Sequence, residues 1–180
     1  ITNALRLLAA GALALSSAAF AQNVTVNPGA GSYPDLKSAF DAINLGTHTG
    51  AVTASIVGDT TETVPAVLNA SGSGTASYTS IVITPVGARS ISGAIVAGSP
   101  LIDFNGADNV TIDGLNASGN SLTIANTTVS ATSGTATIRF IGGATGNTIT
   151  NASVLGSGTM SVGTNGGNID VRTLAGSLTV

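Results

Sequence analysis

Between residues 102 and 140 the apolar residues come in pairs one residue apart: Ile102 and Phe104, Val110 and Ile112, Leu122 and Ile124, Ile138 and Phe140. A period of two puts both members of a pair on the same side of an extended strand. Each pair therefore predicts a short strand with one buried face. Turn-forming residues separate the pairs: Asn105-Gly106, Asp113-Gly114, Ser118-Gly119-Asn120, Gly142-Gly143 and Gly146-Asn147. Many short strands, one helical segment and almost no charge predict a solenoid of stacked coils. Ile102 to Leu122 is twenty residues and Leu122 to Ile138 sixteen. Steps of that size predict one coil each, by analogy with stacked repeats of roughly 20 residues upward. The steps are unequal, which excludes a strict-repeat β-roll. The acidic Gly-Gly-x-Gly-x-Asp nonapeptide that binds calcium is missing.

Composition narrows the function. Of 180 residues 43% are hydrophobic, but only 3% are aromatic and 7% charged, against roughly 25% charged in an ordinary domain. Solubility must come from Ser, Thr, Asn and Gly, and the core from Val, Ile, Leu and Ala, which suit thin repeated layers. The formal charge is −3, from five basic and eight acidic residues. No basic run exists, so binding nucleic acid by neutralising phosphates is disfavoured. Cysteine is absent, which removes disulfides, thiolate nucleophiles and Cys-ligated metals. No cofactor or metal motif is present.

Residues 1–21 read as a secretory signal peptide. Arg6 is their only charge, Leu7 to Leu15 is apolar, and Ala19-Phe20-Ala21 gives the small-x-small cleavage pattern, with Gln22 as the expected mature N-terminus. The apolar run is too short for a bilayer, which takes about 20 residues. Removing it takes Arg6 away and leaves four basic against eight acidic residues. No later run has membrane length, so a secreted or cell-surface location is expected, with no membrane span after processing.

Residues 22–50 read as an N-terminal strand and a capping helix. Val24 to Asn27 is the strand. In Pro34 to Ile43, Leu36, Ala39, Phe40 and Ile43 share one helical face. Ser32 is the expected N-cap, Pro34 suits the first turn, and Gly46 is the terminator. Such a helix would cover the open end of a solenoid. Residues 51–180 read as β-helix coils. Strands are expected at Ala51 to Val57, at Thr60 to Leu68 (broken by Pro65), at Ser80 to Thr84, around Ile91, at Ala94 to Val96, and at Ile169 to Val171 and Leu178 to Val180. The stretch from Gly156 is looser. The text ends inside a strand pattern, so a longer natural protein is expected, together with edge-to-edge self-association of the isolated fragment.

The strand Val24 to Asn27, followed by Gly31-Ser32-Tyr33-Pro34-Asp35-Leu36-Lys37-Ser38-Ala39-Phe40-Asp41-Ala42-Ile43, resembles the opening of pectin methylesterases and other pectin lyase-like proteins. Ile91-Ser92-Gly93, Asn109 to Leu115 and Thr148 to Asn151 are similar to that superfamily's coil text. The chain from Gln22 to Gly156 also looks like the N-terminal part of large bacterial β-strand-repeat surface proteins, often adhesin-like. The resemblance implies an all-β, right-handed parallel β-helix with a short N-terminal capping α-helix. It is fairly specific for fold and poor for activity.

Candidate chemistry is sparse. Asp103, Asp113 and Arg139 sit at outward positions of their strands. Coils stacked about 4.8 Å apart would make outward residues neighbours. Two carboxylates and an arginine suit a sugar-acid site: nucleophile, acid/base and anion clamp. Pectin methylesterases carry their nucleophile in an Asp-Phe-x-x-Gly stretch. Asp103-Phe104-Asn105-Gly106 resembles it one residue short, and their glutamine pair has no counterpart, since Gln22 is the only glutamine. The alternative is solvated strand faces, with Asp113 and Asp108 as turn residues.

Asn105, Asn109, Asn116, Asn120, Asn126, Asn147 and Asn151 are expected at turns, in left-handed positions or amide ladders. The pairs Thr135/Thr137 and Thr148/Thr150 resemble outward ice-matching rows but do not repeat in register. His48 is expected on the surface, and the Asp59/Glu62 pair in solvent, with a weakly bound cation as the alternative. The favoured expectation is a structural or adhesin-like segment of a larger surface protein, contacting surface or matrix glycans through outward Thr, Asn and Asp rows. The alternative is the N-terminal part of a polysaccharide-active lyase or esterase. An autotransporter passenger would need a C-terminal membrane barrel, and none lies within these residues.

Overall fold

The computed structural model describes residues 21–29, 33–156 and 165–172. Residues 1–20 of the expected signal segment 1–21, Ser32 and the strand expected at Leu178 to Val180 lie outside the described residues. Among the described residues thirteen strands and one helix form a parallel β-helix. Strand β1 (Gln22–Val26) and helix α1 (Leu36–Asn44) come first. Four coils follow, each of three strands: β2 (Gly50–Ile56), β3 (Thr60–Thr61) and β4 (Ala66–Asn69); β5 (Tyr78–Pro85), β6 (Ala88–Gly93) and β7 (Pro100–Asn105); β8 (Val110–Asp113), β9 (Ser121–Asn126) and β10 (Ala136–Ile141); β11 (Thr148–Thr150), β12 (Ala152–Gly156) and β13 (Gly167–Val171).

Equivalent strands of successive coils pair in parallel, giving three sheets. The first runs β1-β2-β5-β8-β11, the second β3-β6-β9-β12 and the third β4-β7-β10-β13. Like residues stack through the core. Val24, Ala54, Ile83, Ile112 and Ile149 form one column of the first sheet. Leu68, Phe104 and Phe140 form one in the third. The rings of Phe104 and Phe140 stack at 5.0 Å, and Phe40 of α1 meets Phe104 at 6.3 Å. Every member of the four apolar pairs is buried.

The coil length differs from the expected one. Ile102 and Ile138 are stacked partners in the third sheet, whereas Leu122 lies in the second. The twenty- and sixteen-residue steps are therefore two parts of a single coil. Ile81 stacks on Val110, 29 residues on, and Ile112 on Ile149, 37 residues on. Period two marks strands but does not say which of three faces each one occupies. Ala94 to Val96 is also not a strand: it connects the second and third sheets. There the Ile95 N–H donates to Thr128 Oγ1 (2.7 Å), and the Thr128 hydroxyl donates back to the Ile95 carbonyl (2.7 Å).

Helix α1 starts two residues later than expected, with Asp35 and not Ser32 as N-cap: its side chain accepts the Ser38 N–H at 2.7 Å. Pro34 precedes this cap and lies outside the helix. Gly46 ends the helix as expected. At φ +72° it donates to Ile43 O, and Thr47 donates to Ala42 O, the two bonds of a Schellman cap. The helix covers the unpaired edge of β4. Asn44 donates to Val67 O (2.9 Å) and accepts from the Asn69 N–H (3.0 Å), so two edge groups are satisfied by one side chain.

Candidate functional site

Asp103 and Arg139 meet on the outward side of the third sheet. They are direct register partners on β7 and β10. Arg139 Nε donates to Asp103 Oδ1 at 3.0 Å and Nη2 to Oδ2 at 2.6 Å, a two-pronged fork. The neighbouring carboxylate holds the Arg139 proton more firmly than usual, and burial pulls the other way. Asp103 is only 6% exposed, so it is no solvated face residue.

Asp113 is not part of this cluster. It ends β8, in the first sheet. Its Oδ1 accepts from Asn151 Nδ2 and from the Leu115 N–H, both at 2.9 Å. These bonds, the Asn151 amide foremost, hold its carboxyl below the usual range. It serves as a turn residue. Asp108 does likewise, accepting the Thr145 N–H (2.6 Å) and hydroxyl (2.9 Å).

The place expected for Asp113 is filled by Asp170. It is the register partner of Arg139 on β13, 6% exposed, and it accepts Arg172 Nε at 2.8 Å. Asp103, Arg139 and Asp170 thus form a column of alternating sign. The sequence carries the signal in three triplets: Ile102-Asp103-Phe104, Ile138-Arg139-Phe140 and Ile169-Asp170-Val171. The signal is missed if a coil is taken as twenty residues, because only the true coil length aligns the triplets. Chemically the column pairs charges. Each oxygen of Asp103 accepts one hydrogen bond from Arg139. Among the described residues no group of three or more His, Asp or Glu is placed to hold a metal, and no helix is long and apolar enough to cross a membrane.

Other expected positions sort clearly. Asn109, Asn116 and Asn151 are left-handed, at φ 58°, 44° and 53°. Asn105 donates to Asn69 Oδ1 at 3.0 Å, a two-rung amide ladder. Asn126 is buried at the end of β9 and donates to Ala136 O at 2.7 Å. Asn147 and Asn120 bond backbone groups of the neighbouring coil. Thr135 and Thr137 are not outward rows. Both are buried, with their hydroxyls donated to Thr132 O and Leu155 O. Thr148 and Thr150 do lie outward, beside Thr111 and Asp113.

Glu62 is not a solvated acid. It is 1% exposed and accepts the Leu36 N–H (3.0 Å), the Lys37 N–H (3.1 Å) and the Thr60 hydroxyl (3.1 Å). Burial raises its carboxyl above the ordinary value, only partly offset by those bonds. It fastens the start of α1 to the first coil. Its supposed partner Asp59 accepts the Ser90 N–H (2.9 Å). His48 is half-buried: Tyr33 Oη lies 2.7 Å from Nε2, and Gln22 Oε1 lies 3.1 Å from Nδ1. Comparison with family models, with characterised proteins and with solved structures finds no match.

Proposed function

We propose that this chain is an exported structural or adhesin-like β-solenoid segment of a larger bacterial surface protein, contacting glycans through its outward polar rows. The observation that carries the reading is the pattern of those rows. In the first sheet Thr53, Thr111 and Thr148 share a row interrupted by Val82. In the second, Ser90, Thr123 and Ser153 share another. Short hydroxyl side chains repeated along flat faces offer many weak hydrogen bonds to an extended polymer and no single reactive centre. The signal-like segment 1–21 and the resemblance to β-strand-repeat surface proteins support the same reading. A glycan array probed with the full chain tests it. Binding to an extended polysaccharide, weakened by Thr111→Val, is expected. A blank array removes the glycan part and leaves a scaffold.

A second reading, the N-terminal part of a polysaccharide-active lyase or esterase, is favoured by one observation: Asp103, Arg139 and Asp170 stand in register on one sheet. Turnover of polygalacturonate or its methyl ester by the full chain, abolished in Asp103→Ala, would establish it. No turnover by the wild type counts against it.

A further inference from the structure

We infer that Gln22, once it heads the mature chain, closes to a pyroglutamyl ring with the help of His48 and Thr49. The free amine rests on the export reading above; the donors on the side-chain amide stand on geometry. Gln22 Oε1 accepts from two groups on the loop that enters β2: His48 Nδ1 at 3.1 Å and the Thr49 N–H at 3.3 Å. The Thr49 N–H can only donate, so the atom facing it must be the amide oxygen and not the amide nitrogen. The same oxygen requires a proton on His48 Nδ1. In the neutral ring Nε2 is then an acceptor, and the Tyr33 hydroxyl, 2.7 Å away, donates to it. Tyr33 and His48 also meet edge to face, with centroids 5.6 Å apart, which fixes the imidazole.

Two donors converging on one carbonyl oxygen stabilise the negative charge that develops when a nucleophile adds to its carbon. The nucleophile at hand is the α-amine of Gln22 itself, tethered for a five-membered closure. The N–Cδ bond forms and the Cδ–Nε2 bond breaks. The amine gives up a proton, the departing nitrogen takes one, and ammonia leaves. No co-reactant is needed. The product keeps the oxygen that His48 and Thr49 hold, and it offers no free amine to an aminopeptidase at the start of β1.

The test follows the loss of ammonia by intact mass in a folded chain released from a cleavable leader so that Gln22 comes first. A peptide of residues 22–31 and the same chain in denaturant serve as references. The folded chain is expected to cyclise about tenfold faster or more, and both references to share one slow rate. His48→Ala should bring the folded chain down to that rate, and Tyr33→Phe, which keeps the ring, should slow it. A folded chain no faster than the peptide, or unaffected by His48→Ala, overturns the inference. The N-terminal mass of the exported protein is read separately. Cleavage elsewhere than after Ala21 would overturn Gln22 as the mature N-terminus, and with it the ring in the exported protein, and leave the cyclisation rates standing.

Discussion

At the residue scale, buried charge does structural work here. Removing one partner of a buried ion pair strands the other, at a cost of about 3 kcal/mol. Asp103→Ala should therefore lose about that much stability in urea unfolding. Pairing it with Arg139→Met should recover part of the loss, since the stranded guanidinium is gone. A double variant as unstable as the two losses added would show that the fork is not coupled. Glu62→Ala leaves two helix N–H groups without their acceptor and should cost about 1–3 kcal/mol.

Glu62 also sets a pH dependence. Its folded carboxyl titrates above its unfolded value, so the fold holds the proton more tightly than the open chain does. That contribution is complete below the unfolded value and is lost as pH rises through the folded one. Urea midpoints of the wild type, measured against Glu62→Gln, should fall as pH rises above the ordinary glutamate range of about 4 and through the raised folded value. A difference independent of pH would refute this.

At the element scale, the strands and the helix were legible and their corners were not. Leu36, Ala39, Phe40 and Ile43 announced the buried face of α1, and all four are fully buried. Its N-cap was misplaced because both Ser32 and Asp35 suit the role locally; a second fastening, Glu62, lies 26 residues from Leu36. Gly93 illustrates what a corner demands. A Cβ there would come within 2.0 Å of Glu62 O in the coil below, so Gly93→Ala must push two backbones apart. Gly72, at φ +89°, meets nothing within 4 Å, so Gly72→Ala should cost only the left-handed penalty of about 1–2 kcal/mol. Thermal melts should show Gly93→Ala to be the more damaging of the two; equal losses would mean that the corner relaxes.

At the scale of the whole molecule, every strand among the described residues pairs only with the coils directly before and after it. Stability in such a stack is a sum of coil and interface terms. The middle coils have neighbours on both sides. Amides of β5 to β10 should then exchange with deuterium more slowly than those of β11 and β12, whose outward and inward residues are largely exposed or half-buried. Uniform protection along the stack would count against this. The third sheet's alternating column of Asp103, Arg139 and Asp170 adds a register signal, because a one-residue slip would set the charges against apolar partners.

The sequence by itself determined that this chain makes short strands, buries Val, Ile, Leu and Phe at period two, turns at Asn and Gly, and starts with an amphipathic helix. Those are local consequences of side-chain shape and polarity, and they hold wherever the strands end up. Only the tertiary structure decided which strands stack. Coil length depends on corner connections of different lengths, which carry no periodic signal. For the same reason Asp103 and Asp113 could be read as neighbours while Asp170 went unnoticed. Partners 36 residues apart become adjacent only when the three-sided path of the chain is known.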